Sequence, residues 1–244
     1  MDSRTKFILD VMIGAVVPVL ILDNLSNQLG TTTTYIVAAL VPVAWVFIDL
    51  FLITKRFNFV TTYTGVFALG GGLLTFWFVD GVQYAIKDTL GYVFTVLVFG
   101  LSILLGKPIM YYFTRQALNP TTRKQNKLLK TFFAVPNVYR SLVNGTLIIL
   151  SVSICSCIAN FLLNLSMVTA EFGTVAFNEQ VARTNAITRI ALTIPAYVAL
   201  GAAILLIRRG INISLEDVDA EDEEDELELW DWLELYEAQK LAEA

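Results

Sequence analysis

The chain has 244 residues, 56% of them apolar and 16% charged, with a mean hydropathy of +0.64. Soluble domains run about 45–50% apolar and about 25% charged, so this composition excludes an ordinary soluble domain. The net charge of −5 conceals a division: residues 1–209 carry 16 basic and 8 acidic groups, whereas residues 210–244 carry 14 acidic groups and one lysine. A basic body is joined to a strongly acidic tail.

In chain order, the apolar residues form six runs, at 7–22, 35–53, 59–79, 84–105, 142–168 and 186–207. A bilayer core takes about 20 residues per helix, so the runs predict an all-α, polytopic membrane protein with six transmembrane helices. The first run has a basic start, but Asp10 interrupts it and no small-x-small cleavage site follows, so it is expected to be a retained helix and not a secretion signal. With both termini in the cytoplasm, 14 of the 17 basic residues fall inside, which leaves Lys87, Arg183 and Arg189 outside or at the outer interface. That asymmetry is what the positive-inside rule demands of an even number of spans.

Residues 1–209 therefore read as the six-helix transmembrane domain and 210–244 as an acidic cytoplasmic tail. The connection 107–140 interleaves Tyr111, Tyr112, Phe113, Phe132, Phe133 and Tyr139 with seven basic residues, the composition of a segment lying on anionic lipid at the inner leaflet. Nothing in it resembles a nucleic-acid recognition fold. In the tail, 219–228 is too charged to bury and is expected to be disordered. Leu229, Trp230, Leu233, Tyr236 and Leu241 follow at roughly helical spacing, as either a solvated helix or a docking segment for a basic surface.

The residue inventory limits the chemistry. No histidine is present, which removes imidazole catalysis, His-ligated haem and most zinc sites. Cys155 and Cys157 are two apart, about 200° on a helix, so they neither clasp one metal nor bridge each other. Gly100…Gly106-Lys107 is one residue too long for a phosphate loop, and Pro108 stands where Ser or Thr is needed. No catalytic residue, metal ligand or cofactor is expected, and the chain reads as non-enzymatic.

Polar groups inside spans are costly, at least ~2.5 kcal/mol for a charge, and mark candidate sites. Asp49 is expected to face the bundle interior. Thr146, Ser153, Ser156, Asn160 and Asn164 fall three, four or seven apart on one face of the fifth run, either as contacts between helices or as the lining of a polar cavity. Asp80, Lys87, Asp88, Arg183 and Arg189 are candidate ion-pair partners at the outer side, where Glu171 and Glu179 also crowd the loop before the last span. Pro18, Pro42 and Pro195 each remove one backbone bond inside a span and kink it.

Several features taken together resemble the intracellular septation protein A family of bacterial inner-membrane proteins and its six-helix relatives. They are the basic turn Lys55-Arg56, Gly72-Leu73-Leu74-Thr75 followed by Phe76, Trp77 and Phe78, Lys87 at the start of the fourth span, Lys107-Pro108-Ile109 at its end, and Ala159-Asn160-Phe161 in the fifth. The resemblance covers residues 35–205. It implies a multi-pass protein of the cell inner membrane that supports envelope organisation or septation, with no established catalytic activity. That role would work through contacts with further copies of the chain or with another membrane protein. The alternative from the residues alone is a small-solute or ion transporter, with its site between the kinked helices near Asp49 and the polar stripe of the fifth span.

Overall fold

The computed structural model describes residues 9, 12–55, 59–216 and 229–242. Arg4, Lys6, Asp10, Arg56 and the acidic block 219–228 lie outside the described residues. The described residues are helical, with no strand among them. A π-helical turn, Met12–Val16, leads into α1 (Val17–Leu29), and α2 (Thr31–Ile48) continues into a π-helical segment, Asp49–Thr54. After these come α3 (Phe59–Thr75), α4 (Gly81–Leu104), α5 (Ile109–Leu118), α6 (Arg123–Phe132), α7 (Pro136–Met167), α8 (Val175–Leu215) and α9 (Leu229–Ala242).

Four helices are long and apolar enough to cross a membrane: Thr31–Ile53, Gly81–Leu104, Pro136–Met167 and Val175–Leu215. These are the second, fourth, fifth and sixth of the predicted runs, and they make the chain a helical membrane protein. Their outward side chains are the large apolar ones lipid requires, among them Leu52, Leu97, Ile158, Ile190 and Val198. The other two runs give shorter helices. α1 has 13 residues; α3 has 17, about 26 Å at 1.5 Å per residue, and ends at Thr75 instead of Val79. There the Thr75 hydroxyl bonds back to the Gly71 carbonyl, and Phe76 and Trp77 close tight turns onto Leu73 and Leu74.

α8 departs most from the sequence reading. It runs for 41 residues, about 62 Å, and begins at Val175. Glu179, Arg183 and Arg189 are therefore helical residues and not part of an outer loop. The Thr174 hydroxyl, which accepts from the Phe177 amide, caps the helix beyond the apolar run that marked it.

The chain divides into two compact units, Met1–Leu97 with Val152–Ala196 and Val98–Ser151 with Tyr197–Ala244. In the first, α1 and α2 form a hairpin through the single residue Gly30, whose φ of +80° a side chain would strain. Thr34 ties the bend by donating to the Leu25 and Gly30 carbonyls. The core beneath it is Leu22, Tyr35, Ala38, Tyr84, Val168, Phe177, Val181 and Ala182. Phe177 meets Tyr84 edge-on at 5.2 Å and Phe172 at 5.3 Å, a geometry favoured by ring quadrupoles. Asn178, fully buried, donates to the Ser26 hydroxyl at 2.8 Å and to the Thr31 carbonyl at 2.9 Å, so α8 is fixed against the hairpin.

The second unit holds α5, α6 and α9. Thr122 caps α6 through a reciprocal capping box with Gln125. Leu128, Leu129 and Phe132 are buried, while Arg123, Lys124, Lys127 and Lys130 are exposed. Phe132 and Phe133, expected at headgroup depth, are only 2% exposed. Phe133 packs on Tyr111 at 5.3 Å and Phe132 on Tyr236 of α9 at 5.5 Å. Phe132 and Phe133 thus fill a protein core, Tyr111, Tyr112 and Phe113 are half-buried, Tyr139 is exposed, and the cations of 107–140 are exposed. Leu233 of α9 is buried, and Glu234 pairs with Lys124 at 2.6 Å.

Candidate functional site

The first unit contains a partly open cavity of about 670 Å³ among α1, α2, α3, α4 and α8. Its size lies within the range of small-molecule sites. α1, α2 and α3 contribute an almost wholly apolar wall that includes Pro18, Leu22, Ala38, Pro42, Val43, Phe67 and Leu74. Two of the three predicted kinking prolines therefore line the same space. α4 and α8 contribute the charged wall: Lys87, Asp88, Asn185 and Arg189.

The α4 residues are placed by helical spacing. Tyr84, Lys87 and Gly91 follow one another at three and four residues, which keeps them on one side of the helix, and Asp88 flanks that side. Lys87 is 4% exposed, so its charge is held away from both lipid and water. Its ammonium donates to the Tyr35 hydroxyl at 2.7 Å and to the Trp77 carbonyl at 2.6 Å. It also lies 4.9 Å from the Tyr35 ring centre and 5.4 Å from that of Tyr84. Neutral oxygens and ring faces thus solvate this cation in place of a carboxylate.

Asp88 is held from the other side. One of its oxygens accepts from Asn160 at 3.1 Å and from Asn164 at 2.9 Å, both on α7. Asn160 donates also to the Thr89 hydroxyl at 3.2 Å, and Asn164 to the Asn160 carbonyl at 2.9 Å. The Asn164 side-chain oxygen is buried without a hydrogen-bond partner. Two amides on one carboxylate oxygen replace the water that a membrane interior withholds.

Arg189 lines the cavity one helical turn beyond Asn185, with Val181 a turn before. It makes no hydrogen bond or ion pair with another described residue. None of the candidate outer ion pairs closes within 4 Å: Asp80 accepts from the Phe172 backbone amide at 3.0 Å, and Arg183 is exposed on α8. Lys87 and Asp88 are chain neighbours about 100° apart on α4, so each finds its partners on a different side.

The other sequence candidates separate. Asn160 and Asn164 reach the site through Asp88, and Ser156 is buried on the same helix. Ser153 belongs to the first unit but does not line the cavity. Thr146 belongs to the second unit, where its hydroxyl accepts from the Met110 amide at 3.2 Å. Asp49 sits half-buried at the start of the π-helical segment and does not line the cavity. Sequence reasoning missed Tyr35 and Tyr84 as partners of Lys87. The usable signal was a tyrosine three residues before a lysine in a span, since an intramembrane ammonium needs oxygens or rings within reach.

No known protein family, curated protein or solved structure matches this chain.

Proposed function

We propose that the chain is a small-solute transporter of the cytoplasmic membrane, with six spans, both termini inside, and its binding site in the cavity between the proline-bearing helices α1 and α2 and the charged wall of α4 and α8. The observation that carries this reading is the placement of Lys87, Asp88 and Arg189 on one cavity within apolar helices. Ionisable groups at that depth mark substrate or ion pathways by default, because their cost is otherwise unrecovered. Kinked helices at such a site are a recurring feature of transporters. The division of basic residues supports the topology. The exposed cations of α6 would then face anionic lipid of the inner leaflet.

Cysteine accessibility tests it. In a chain with Cys155 and Cys157 replaced by serine, Ala39→Cys in the cavity wall should react with a water-soluble, membrane-impermeant thiol reagent from both faces. Ile190→Cys, 68% exposed on the apolar surface, should not react. Thr174→Cys should label only from outside and Thr121→Cys only from inside. Failure of Ala39→Cys to label from either face would remove the transport reading.

A second reading, non-enzymatic envelope organisation or septation as the family resemblance implies, is favoured by α9. Its exposed Asp231 and Glu234 give a cytoplasmic docking partner a surface to engage. Under that reading the cavity is sealed and Ala39→Cys is silent.

A further inference from the structure

We propose that the cavity takes an amphiphilic organic monoanion: a carboxylate head group on a compact apolar body. The inference rests on the solute-site reading above and assigns its ligand class. Three observations bear on it. First, the charged groups lining the cavity are two cations, Lys87 and Arg189, and one anion, Asp88, which leaves one positive charge uncompensated. Second, the two cations are not equivalent. Lys87 already gives two of its three donors to Tyr35 and Trp77, and Asp88 is held by two asparagine amides. Arg189 alone makes no hydrogen bond or ion pair to another described residue. A guanidinium presents a planar fork of donors that matches a carboxylate in bidentate fashion, and it stays charged where an amine would not. Third, the wall facing it is apolar. Along α2 that wall runs from Ala38 to Val46, and α3 adds Val66, Phe67 and Leu74.

A small hydrophilic anion would leave this wall unfilled, and an organic cation would meet an excess of positive charge. An uncharged apolar molecule would offer the Arg189 guanidinium no carboxylate to pair with. A ligand with one carboxylate and an apolar body satisfies both walls at once. Asn185, one turn from Arg189 on the same face of α8, supplies an amide for the second carboxylate oxygen.

The test uses the full chain in lipid nanodiscs with radiolabelled octanoate as probe, binding to empty nanodiscs being subtracted. Saturable binding is expected, displaced by unlabelled octanoate but not by octylamine or octanol. Arg189→Gln should weaken it at least about tenfold, the loss of a charge-assisted hydrogen bond, with partial recovery in Arg189→Lys. Arg183→Gln, on the same helix but outside the cavity, should leave it unchanged. Should Arg189→Gln fail to fold, Ala39→Leu, which fills the apolar wall, should weaken octanoate without altering Arg189. No saturable binding, equal displacement by octylamine or octanol, or wild-type affinity in both Arg189→Gln and Ala39→Leu would overturn the assignment. If Ala39→Cys labels from water while octanoate does not bind, the ligand class alone is wrong. If neither occurs, the solute-site reading falls with it.

Discussion

The Asn164 amide donates to the Asp88 carboxylate at 2.9 Å across 76 residues of chain, and Asn160 donates to the same oxygen one turn away. Removing the two amides leaves a carboxylate unsatisfied inside an apolar bundle, whereas removing the carboxylate leaves its two donors, both neutral amides, without their acceptor. The first costs more. Asn160→Ala/Asn164→Ala should therefore lower the midpoint of heat-induced aggregation in detergent further than Asp88→Ala does. A double-mutant cycle between Asp88 and Asn164 should give a coupling of about 0.6–1.7 kcal/mol, the range of hydrogen bonds between membrane helices. Strict additivity would show that the contact contributes nothing.

Lys87 is the second test of polar groups in the bundle. Lys87→Met removes the donor to both the Tyr35 hydroxyl and the Trp77 carbonyl, and should destabilise by about 1–3 kcal/mol. Tyr35→Phe deletes one acceptor but keeps the ring 4.9 Å from the ammonium, so its cost should be smaller. Denaturation of the two variants in the same detergent measures the order. A larger loss in Tyr35→Phe would contradict it.

Gly91 touches α3 closely: a Cβ built there would lie 2.9 Å from Cζ of Phe67. Gly91→Val should destabilise by about 1–3 kcal/mol through overpacking. Phe67→Ala in the same chain should recover part of that loss, because the ring is what the new side chain meets. Thermal stability of the single and double variants decides it, and an unrescued double variant would place the strain elsewhere.

Docking of α9 on α6 rests on two unequal contacts. The Lys124–Glu234 pair is exposed, at 64% and 47% of the side chains, and contributes well below about 1 kcal/mol. Leu233 is buried, at 1% exposure, and contributes roughly 1.5–3 kcal/mol. Emission from Trp230 and Trp232 in α9 should therefore barely respond to 0.5 M salt. Leu233→Asp should shift it to longer wavelength and open 229–242 to protease. A salt response as large as that of Leu233→Asp would mean that charge, and not burial, holds the helix.

Length and apolarity were sufficient to read four of the helices, because a run of about 20 lipid-compatible residues has few alternatives. Their ends were not legible. α8 extends beyond its apolar core because Phe177, Val181 and Ala182 pack in the core and Asn178 bonds to the hairpin, tertiary contacts that hydropathy does not weigh. Within the site, Asn160 and Asn164 were singled out by spacing alone, and α7 does present them to one partner. That partner was not readable, since Asp88 lies 72 residues from Asn160 and nothing local couples them. The aromatic residues of 107–140 misled for a related reason. Phe132 and Phe133 have the composition of a membrane-surface segment, but whether a ring meets lipid or another helix depends on which elements return to cover it. Tyr111 and Tyr236 cover these two.

Twelve residues separate Glu216 from Leu229, so α9 is covalently tied to the chain that carries α6. A segment tethered in this way meets its target at an effective concentration in the millimolar range, whatever the intrinsic strength of the contact. A soluble basic protein competing for α9 in trans must outbid that local concentration, and micromolar affinity for the free peptide translates into weak capture from the intact chain. Supplying 229–242 as a separate peptide would turn the same modest contact into one that dilution dissolves.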